Sequence, residues 1–232
     1  MPRTMAQAVD QGFTMVSDCG EIPGMNGKRF VKEGDYAVVL LYGLNGYIAG
    51  IQIGVQHNDS SGFPPHNQIN QTFLRVDDKY FLTAYFSNPA TICTLGRSRR
   101  QFMIEGIGTR IYIQNGPDPA TNFLVAPMAE TGTYVTKWTK GYCLFSMGVH
   151  YWYDIKEDMS CDDFFPVFLL YNSGRLNAFG WAVATDVKSK RMEHPAHSDI
   201  QSYMYTVPKC VREIPRLSMM HIYLTNPLKN FC

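Results

Sequence analysis

Hydrophobic and polar positions alternate along most of the chain in short segments rich in β-branched and aromatic residues, bounded by Gly, Pro, Asn or Asp. Segments of this kind are typical of β-strands joined by turns. They predict ten strands, at residues 36–42, 47–55, 73–76, 80–86, 110–114, 122–127, 133–138, 164–171, 176–184 and 219–224. Two short helices are predicted at 4–11 and 198–205, the second capped by Ser198. The predicted fold class is mainly antiparallel β, or α+β with a few short helices.

One order of landmarks occurs twice. The run Val-Val-Leu-Leu-Tyr at 38–42 resembles Val-Phe-Leu-Leu-Tyr at 167–171, and each is followed by a glycine turn, a second apolar run and a loop that closes on Pro-x-His. Both copies end in an Asn-Pro turn and a cysteine, at 84–93 and 222–232. An internal duplication explains this order. The alternative is that unrelated strand-turn-strand segments look alike because pleated surfaces select the same residues.

The duplication predicts two pseudo-symmetric β lobes. Residues 17–95 form the first β repeat, 96–137 add connecting strands, and 138–232 form the second repeat. The repeats either remain separate or pack as one compact unit. Because the two Leu-Leu-Tyr strands are continuous apolar runs, we expect each to lie centrally in its sheet and to be covered on both faces.

The six cysteines include no Cys-x-x-Cys pair, which argues against a zinc knuckle or a thioredoxin-like site and favours structural disulfides. The repeat selects among the fifteen pairings that six cysteines allow. Each repeat opens and closes with a cysteine, and two further cysteines belong to the second repeat alone. The predicted bridges are Cys19–Cys93, Cys143–Cys232 and Cys161–Cys210.

Disulfides of this kind persist in oxidising compartments, so we expect an extracellular protein whose signal peptide is absent from the numbered chain. A cytosolic protein is the alternative, because the first residues lack an apolar segment. Two sequons predict N-glycosylation at Asn58 and Asn70. Residues 97–100, Arg-Ser-Arg-Arg, fit the pattern cut by furin-type convertases, although an exposed basic turn that is never cut has the same sequence.

Charge and hydropathy exclude two kinds of partner. The chain carries 21 basic and 20 acidic side chains, a net charge of +1, so no long-range field steers it to nucleic acid or to an anionic membrane. No apolar stretch approaches the ~20 residues that a membrane-spanning helix requires.

Histidines of the Pro-x-His loops are the first candidates for chemistry. His66 and His197 occupy equivalent places in the two copies, and His194 lies beside His197. Neutral imidazoles with a carboxylate suit a divalent transition metal, so these three side chains are the predicted metal ligands and His66 and His197 are predicted ligand contacts. In the alternative interpretation each imidazole closes its loop by a hydrogen bond to the backbone.

Aromatic density marks a second candidate region. His150, Tyr151 and Trp152 lie in one aromatic cluster and Trp181 follows in a second. Aromatic walls with a few polar atoms suit a pocket for an apolar ligand or a sugar ring. The alternative is the aromatic core of a β protein.

These features predict a secreted binding protein for a small apolar or glycan ligand, or for a protein partner, that uses an aromatic-lined pocket or the interface between the lobes. One competing hypothesis is a metal-dependent enzyme built on the Pro-x-His loops. Another is a structural extracellular or egg-type protein without a site. No nucleophile motif is present, which favours the non-enzymatic interpretation.

Overall fold

Two antiparallel sheets organise the chain in a computed structural model that describes residues 1–56 and 63–232. The strands of the first sheet are β1 (Phe13–Ser17), β2 (Lys28–Lys32), β3 (Asp35–Tyr42), β4 (Ile48–Gln56), β5 (Leu74–Val76), β6 (Lys79–Tyr85), β7 (Tyr112–Gln114) and β8 (Phe123–Val125). Those of the second are β9 (Trp138–Leu144), β10 (Gly148–Tyr153), β11 (Val167–Asn172), β12 (Arg175–Val183) and β13 (Ser218–Tyr223). The mainly antiparallel β fold predicted from the sequence is confirmed.

Helices are short. The α-helices are α1 (Met5–Asp10), α2 (Pro89–Ile92), α3 (Arg99–Glu105) and α4 (His197–Ile200), and 3₁₀ turns occur at His66–Gln68, Glu130–Val135, Cys161–Asp163, Lys209–Arg212 and Pro227–Lys229. In the part of the chain that the structure describes, no helix has the length and apolar character needed to cross a membrane. The prediction of α1 is confirmed, and the Thr4 hydroxyl caps it by accepting from the Gln7 amide at 3.3 Å.

Several local predictions are wrong for identifiable reasons. The helix predicted at 198–205 ends at Ile200, and Ser198 is not its cap, because the chain turns there and the Tyr203 carbonyl accepts from the Trp152 indole at 3.1 Å. Residues 133–138 were expected to form a strand, but Thr133 donates to the Glu130 carbonyl at 2.7 Å within a 3₁₀ turn. Local side-chain hydrogen bonds of this type compete with the sheet.

The two sheets share one strand order. The first runs β1-β2-β3-β4-β6-β7-β8, with β5 paired to β6, and the second runs β9-β10-β11-β12-β13. In both sheets, each of the first five strands along this path pairs antiparallel with its neighbours. The Leu-Leu-Tyr strands β3 and β11 lie at the centre of these five strands and are buried, as the sequence predicts.

The register of the central strands also agrees between the sheets. A bulge falls between Leu41 and Tyr42 in β3 and between Leu170 and Tyr171 in β11. On the next strand of each sheet, Gly50 of β4 pairs with Tyr85 of β6, and Ala178 of β12 pairs with Tyr223 of β13. The two Leu-Leu-Tyr strands thus occupy the same place and register within their own sheets.

The segments that precede the sheets make matching contacts as well. The Tyr42 hydroxyl donates to the Pro2 carbonyl at 3.1 Å, and the Tyr171 hydroxyl donates to the Pro127 carbonyl at 2.6 Å. The amide of Ile48 donates to the Arg3 carbonyl, and the amide of Leu176 donates to the Met128 carbonyl. Pro2 and Arg3 therefore contact β3 and β4, and Pro127 and Met128 contact β11 and β12.

The chain divides into two compact units, Met1–His57 with Gln68–Ala126 and Asn58–Asn67 with Pro127–Cys232. β7 and β8, which lie in the segment predicted to add connecting strands, extend the first sheet as far as Val125. The three disulfides are Cys19–Cys93 in the first unit and Cys143–Cys232 and Cys161–Cys210 in the second. These are the pairings predicted from the repeat.

Candidate ligand-binding site

A small cleft of about 100 Å³ opens on the first unit. Its walls come from Arg29 on β2, Tyr36 on β3 and Phe81 on β6, with apolar contributions from Val16, Ile22 and Val76. Its rim is the turn between β5 and β6, which carries Asp77 and Asp78 and leads into Lys79. The cleft combines one deep cation, two aromatic rings and charged side chains at its mouth.

Arg29 occupies a sheet position where an apolar side chain is usual. It pairs with Leu41 of β3, and only 3% of its surface is exposed. Its Nε donates to Gln52 Oε1 at 2.9 Å, and Gln52 Nε2 in turn donates to the Thr83 hydroxyl at 2.9 Å. Its Nη2 is buried and has no hydrogen-bond partner among the described residues. The guanidinium is therefore held at one edge and unsatisfied at another.

Aromatic rings position this guanidinium. The Arg29 Cζ lies 4.4 Å from the centroid of the Phe81 ring, a cation–π contact. Tyr36 meets Phe81 edge-to-face, with their ring centroids 6.0 Å apart. Both aromatic residues also line the cleft. Their rings restrict the orientation of the planar Arg29 guanidinium, which is therefore fixed by packing and not by a carboxylate.

Charges at the rim balance those inside. Arg29 and Lys79 are cationic and Asp77 and Asp78 are anionic, so the four charged side chains of the lining sum to zero. Lys79 Nζ pairs with Asp78 at 2.7 Å, and this hydrogen bond lowers the pKa of Asp78. Asp77 forms no ion pair within 4 Å in the described parts of the chain, and its backbone carbonyl accepts from Arg75 Nε at 3.0 Å.

The electrostatics of Arg29 favour an anionic ligand. Burial lowers the pKa of Arg29, while the neighbouring Tyr36, Tyr85 and Asp77 oppose that shift. Arginine nevertheless remains protonated, because its ordinary pKa lies far above neutral pH. A buried charge without a partner costs several kcal/mol, and a guanidinium is suited to bind a carboxylate or another oxyanion through two parallel hydrogen bonds. The arrangement can bind such a group.

The second unit places histidines near the corresponding position. His150 on β10 pairs with Leu170, as Arg29 pairs with Leu41, and its side chain is fully buried. Its Nδ1 lies 3.3 Å from the Tyr142 carbonyl, and the ring centroid lies 6.0 Å from that of His221. His221 Nδ1 lies 3.2 Å from a Glu193 carboxylate oxygen.

Both of these imidazoles use Nδ1 for their polar contact. A carbonyl and an ionised carboxylate only accept, so the Nδ1 of each ring carries a proton. Neither Nε2 of His150 or His221 has a hydrogen-bond partner among the described residues. Burial lowers the pKa of His150 to about 3, with a further contribution from the charge of His221. His150 and His221 thus form a pair of neighbouring imidazoles in the second unit.

The aromatic residues predicted to bind a ligand lie in the core. Tyr151, Trp152 and Trp181 are buried, as is His150, and none of them lines the cleft. The Tyr151 hydroxyl donates to Glu130 Oε1 at 2.8 Å, and Trp152 packs in the hydrophobic cluster of the second unit. A ligand role for these side chains has no supporting geometry here.

The Pro-x-His histidines do not assemble into a metal centre. His66 is exposed in a 3₁₀ turn, and His197 is exposed with its Nε2 2.7 Å from the Ile214 carbonyl, the loop-closing role considered above. His194 Nε2 lies 3.3 Å from Asp186 Oδ1. Across residues 1–56 and 63–232, no three His, Cys, Asp or Glu side chains form a group that could hold a metal ion.

Sequence reasoning missed Arg29 because β2 was not recognised as a strand. The segment Lys28–Lys32 begins and ends with a lysine, which weakens the apolar alternation that identifies strands. Had the strand been predicted, the alternation of faces would have shown that Arg29 and Val31 point to the same side. The sequence signal that could have identified Arg29 is a cation on the apolar side of a strand.

One of the two predicted glycosylation sites lies among the described residues. Asn70 is exposed, and Thr72 of its sequon donates to Asn115 Oδ1 at 3.1 Å. Asn58 lies outside the described residues.

The Arg-Ser-Arg-Arg motif is folded instead of being an extended loop. Arg97 is buried, with Nη1 donating to the Gly106 carbonyl at 3.0 Å and Nη2 donating to the Ile48 carbonyl. Ser98 caps α3 through a reciprocal capping box with Gln101. Proteases cut exposed, flexible segments, so this arrangement opposes cleavage.

We expect a furin-type convertase to leave the native chain intact. The helix that follows Ser98 must unfold before the motif can extend into a protease cleft. Gel electrophoresis after incubation with the protease should show the 26.3 kDa band alone. The reduced and urea-unfolded chain, diluted into the same reaction, is the control and should be cut after Arg100. Equal rates of cleavage for native and unfolded chains would contradict the prediction.

No family model, no curated protein and no solved structure matched this chain, so the site rests on its own geometry.

Proposed function

We propose that this is an extracellular binding protein whose first unit holds the oxyanion of a small ligand on Arg29. The observation that carries the proposal is the buried guanidinium, which lines an open cleft while its Nη2 lacks a hydrogen-bond partner in the described chain. A purely structural protein gains nothing from such a group, since replacing a buried charge by an apolar side chain is often stabilising.

The size of the cleft selects the kind of ligand. Sites for drug-sized ligands have volumes of about 300–1,000 Å³, whereas this cleft holds about 100 Å³. A whole sugar chain or a large apolar ligand therefore does not fit. A small carboxylate fits, and we propose this class in place of the apolar or glycan ligand expected from the aromatic residues.

Extracellular localisation is supported by the covalent chemistry. All six cysteines are paired in the three disulfides, and disulfides persist where the environment is oxidising. Asn70 presents an exposed sequon, which agrees with a glycosylated, secreted protein. Secretion and glycosylation remain parts of this proposal.

We also infer that the two units descend from one ancestral unit by duplication. The shared strand order, the bulge before Tyr42 and before Tyr171, and the matched hydroxyl contacts to Pro2 and Pro127 support this inference. Chance similarity of strands explains residue types but not a shared register, because register depends on the pairing of each strand with its neighbours. The positions of Arg29 and His150 would then have diverged.

Acetate titration tests the binding proposal. We expect sodium acetate to raise the melting temperature of the wild-type protein more than it raises that of Arg29→Met, with a saturable difference between the two. Ligand binding to the native state stabilises it by mass action. Since salts also act non-specifically on stability, the difference between the proteins is the readout, and sodium chloride at equal concentration is the salt control.

Two variants keep this test decisive. Arg29→Met should fold, because it removes a buried charge and keeps a similar volume. Arg29→Lys keeps the charge but loses the planar fork, so we expect acetate affinity at least about tenfold weaker than in the wild type. Identical acetate dependence in all three proteins, measured by thermal unfolding and calorimetry, would overturn the proposal.

A further inference from the structure

The cleft is lined by charged side chains of both signs, which indicates more about the ligand than that it is an anion. Arg29 lies at the floor, and Asp77 and Asp78 lie at the mouth. A simple monoanion would gain from Arg29 but would meet the carboxylate of Asp77, which has no ion-pair partner within 4 Å among the described side chains. Like charges at close range disfavour one another, so a ligand with negative charge alone suits only half of the site.

The two rim carboxylates are not equivalent. Asp78 is neutralised by Lys79 at 2.7 Å. Asp77 has no such partner within 4 Å among the described side chains, and its φ of 55° places it in the left-handed region at the turn. Its negative charge nevertheless acts on Arg29, where it opposes the lowering of the pKa by burial. Asp77 is thus a free anion close to a buried cation, without forming an ion pair with it.

We propose, on the basis of the proposed function, that the ligand is a small amino-acid zwitterion. Its carboxylate would bind the Arg29 guanidinium, and its ammonium group would face Asp77. The lining has no net charge, so a ligand with one charge of each sign leaves both the cleft and the complex neutral. A volume of about 100 Å³ restricts the ligand to a molecule with a short carbon chain. The aromatic rings of Tyr36 and Phe81 provide apolar walls for that chain.

Calorimetry with a set of small probes tests this inference. Glycine, β-alanine and 4-aminobutanoate vary the separation between the two charges, acetate retains only the carboxylate, and ethylamine retains only the ammonium group. We expect at least one of the three amino acids to bind the wild-type protein about tenfold or more tightly than acetate. Ethylamine should not bind measurably, because it would face Arg29.

The substitution Asp77→Asn tests the contribution of the ligand's ammonium group to affinity separately from that of its carboxylate. It should lower the affinity for the preferred amino acid about tenfold and leave that for acetate unchanged or tighter. Asp10→Asn, which removes a carboxylate from α1 elsewhere in the same unit, is the matched control and should change neither affinity. Asp78→Asn should have a smaller effect than Asp77→Asn, since Asp78 is already paired with Lys79.

The outcomes separate the two proposals. If acetate binds as tightly as every amino acid, and Asp77→Asn changes nothing while Arg29→Met abolishes binding, the zwitterion inference is overturned and the proposed function stands. If no probe binds in a manner that depends on Arg29, the proposed function itself fails. A tenfold preference for an amino acid that is lost in Asp77→Asn supports both.

Discussion

Acidification should destabilise the protein through His150, and the substitution His150→Phe should remove that part of the acid sensitivity. The folded-state pKa of His150 is about 3, against an ordinary value of 6.5, because the ring is fully buried. Between these two values the unfolded chain binds a proton that the folded chain does not. Stability is therefore complete above pH 6.5 and falls as the pH is lowered, by about 1.4 kcal/mol per pH unit.

The loss relative to His150→Phe should reach about 4–5 kcal/mol near pH 3. The groups around His150 do not offset it. Tyr142 offers a carbonyl already in use, Tyr203 and Phe168 present rings, and His221 carries the same charge when protonated. The single carboxylate in the cluster, Glu193, is bonded to His221, and that contact lowers the pKa of Glu193.

Urea unfolding at pH 7, 5.5 and 4 measures this effect as the difference between the wild type and His150→Phe. At pH 7 the variant should lose about 1 kcal/mol with the hydrogen bond to Tyr142. The control is His197→Gln, which alters an exposed imidazole and should keep the acid sensitivity that His150 confers. Parallel pH profiles for the wild type and His150→Phe would show that the buried imidazole does not control acid stability.

Removing the Cys19–Cys93 bridge should lower the free energy of unfolding by about 4–5 kcal/mol. The bridge joins residues 74 apart in sequence. By closing so long a loop it lowers the conformational entropy of the unfolded chain, which stabilises the folded state. The double variant Cys19→Ala/Cys93→Ala avoids a free thiol and is measured by urea unfolding. Since the cost rises only with the logarithm of loop length, removal of Cys161–Cys210, with a separation of 49, should have an effect within about 0.5 kcal/mol of the first.

The single variants Cys19→Ala and Cys93→Ala are the controls, because each also opens the loop and should lose nearly as much stability as the double variant. A loss below about 1 kcal/mol in the double variant would contradict the prediction. It would mean that residual structure already restricts the unfolded chain without the bridge. The Gly27 amide donates to Cys93 Sγ at 2.9 Å, so a small part of any loss belongs to that contact.

The sequence by itself determined the strand-rich fold, the disulfide pairing and the central position of the Leu-Leu-Tyr strands. Each depends on a local or repeated signal: alternation, turn residues, or cysteines that open and close the two copies. Continuous apolar runs such as 167–171 identify a strand buried on both faces without any knowledge of its neighbours. The edge strands β1 and β9 were missed because their mixed polarity resembles that of loops.

Only the tertiary structure decided the candidate site. The cleft joins Arg29, Tyr36, Asp77 and Phe81, which lie on strands and a turn that are distant in sequence, and no spacing rule connects them. Likewise, whether His150 binds a ligand or is buried depends on what covers its strand. The cost of a buried charge is set by the surroundings that remove water from it. Packing therefore places Arg29 in the candidate cleft, and in the part of the chain that the structure describes it does not bring the Pro-x-His histidines into a metal-binding group.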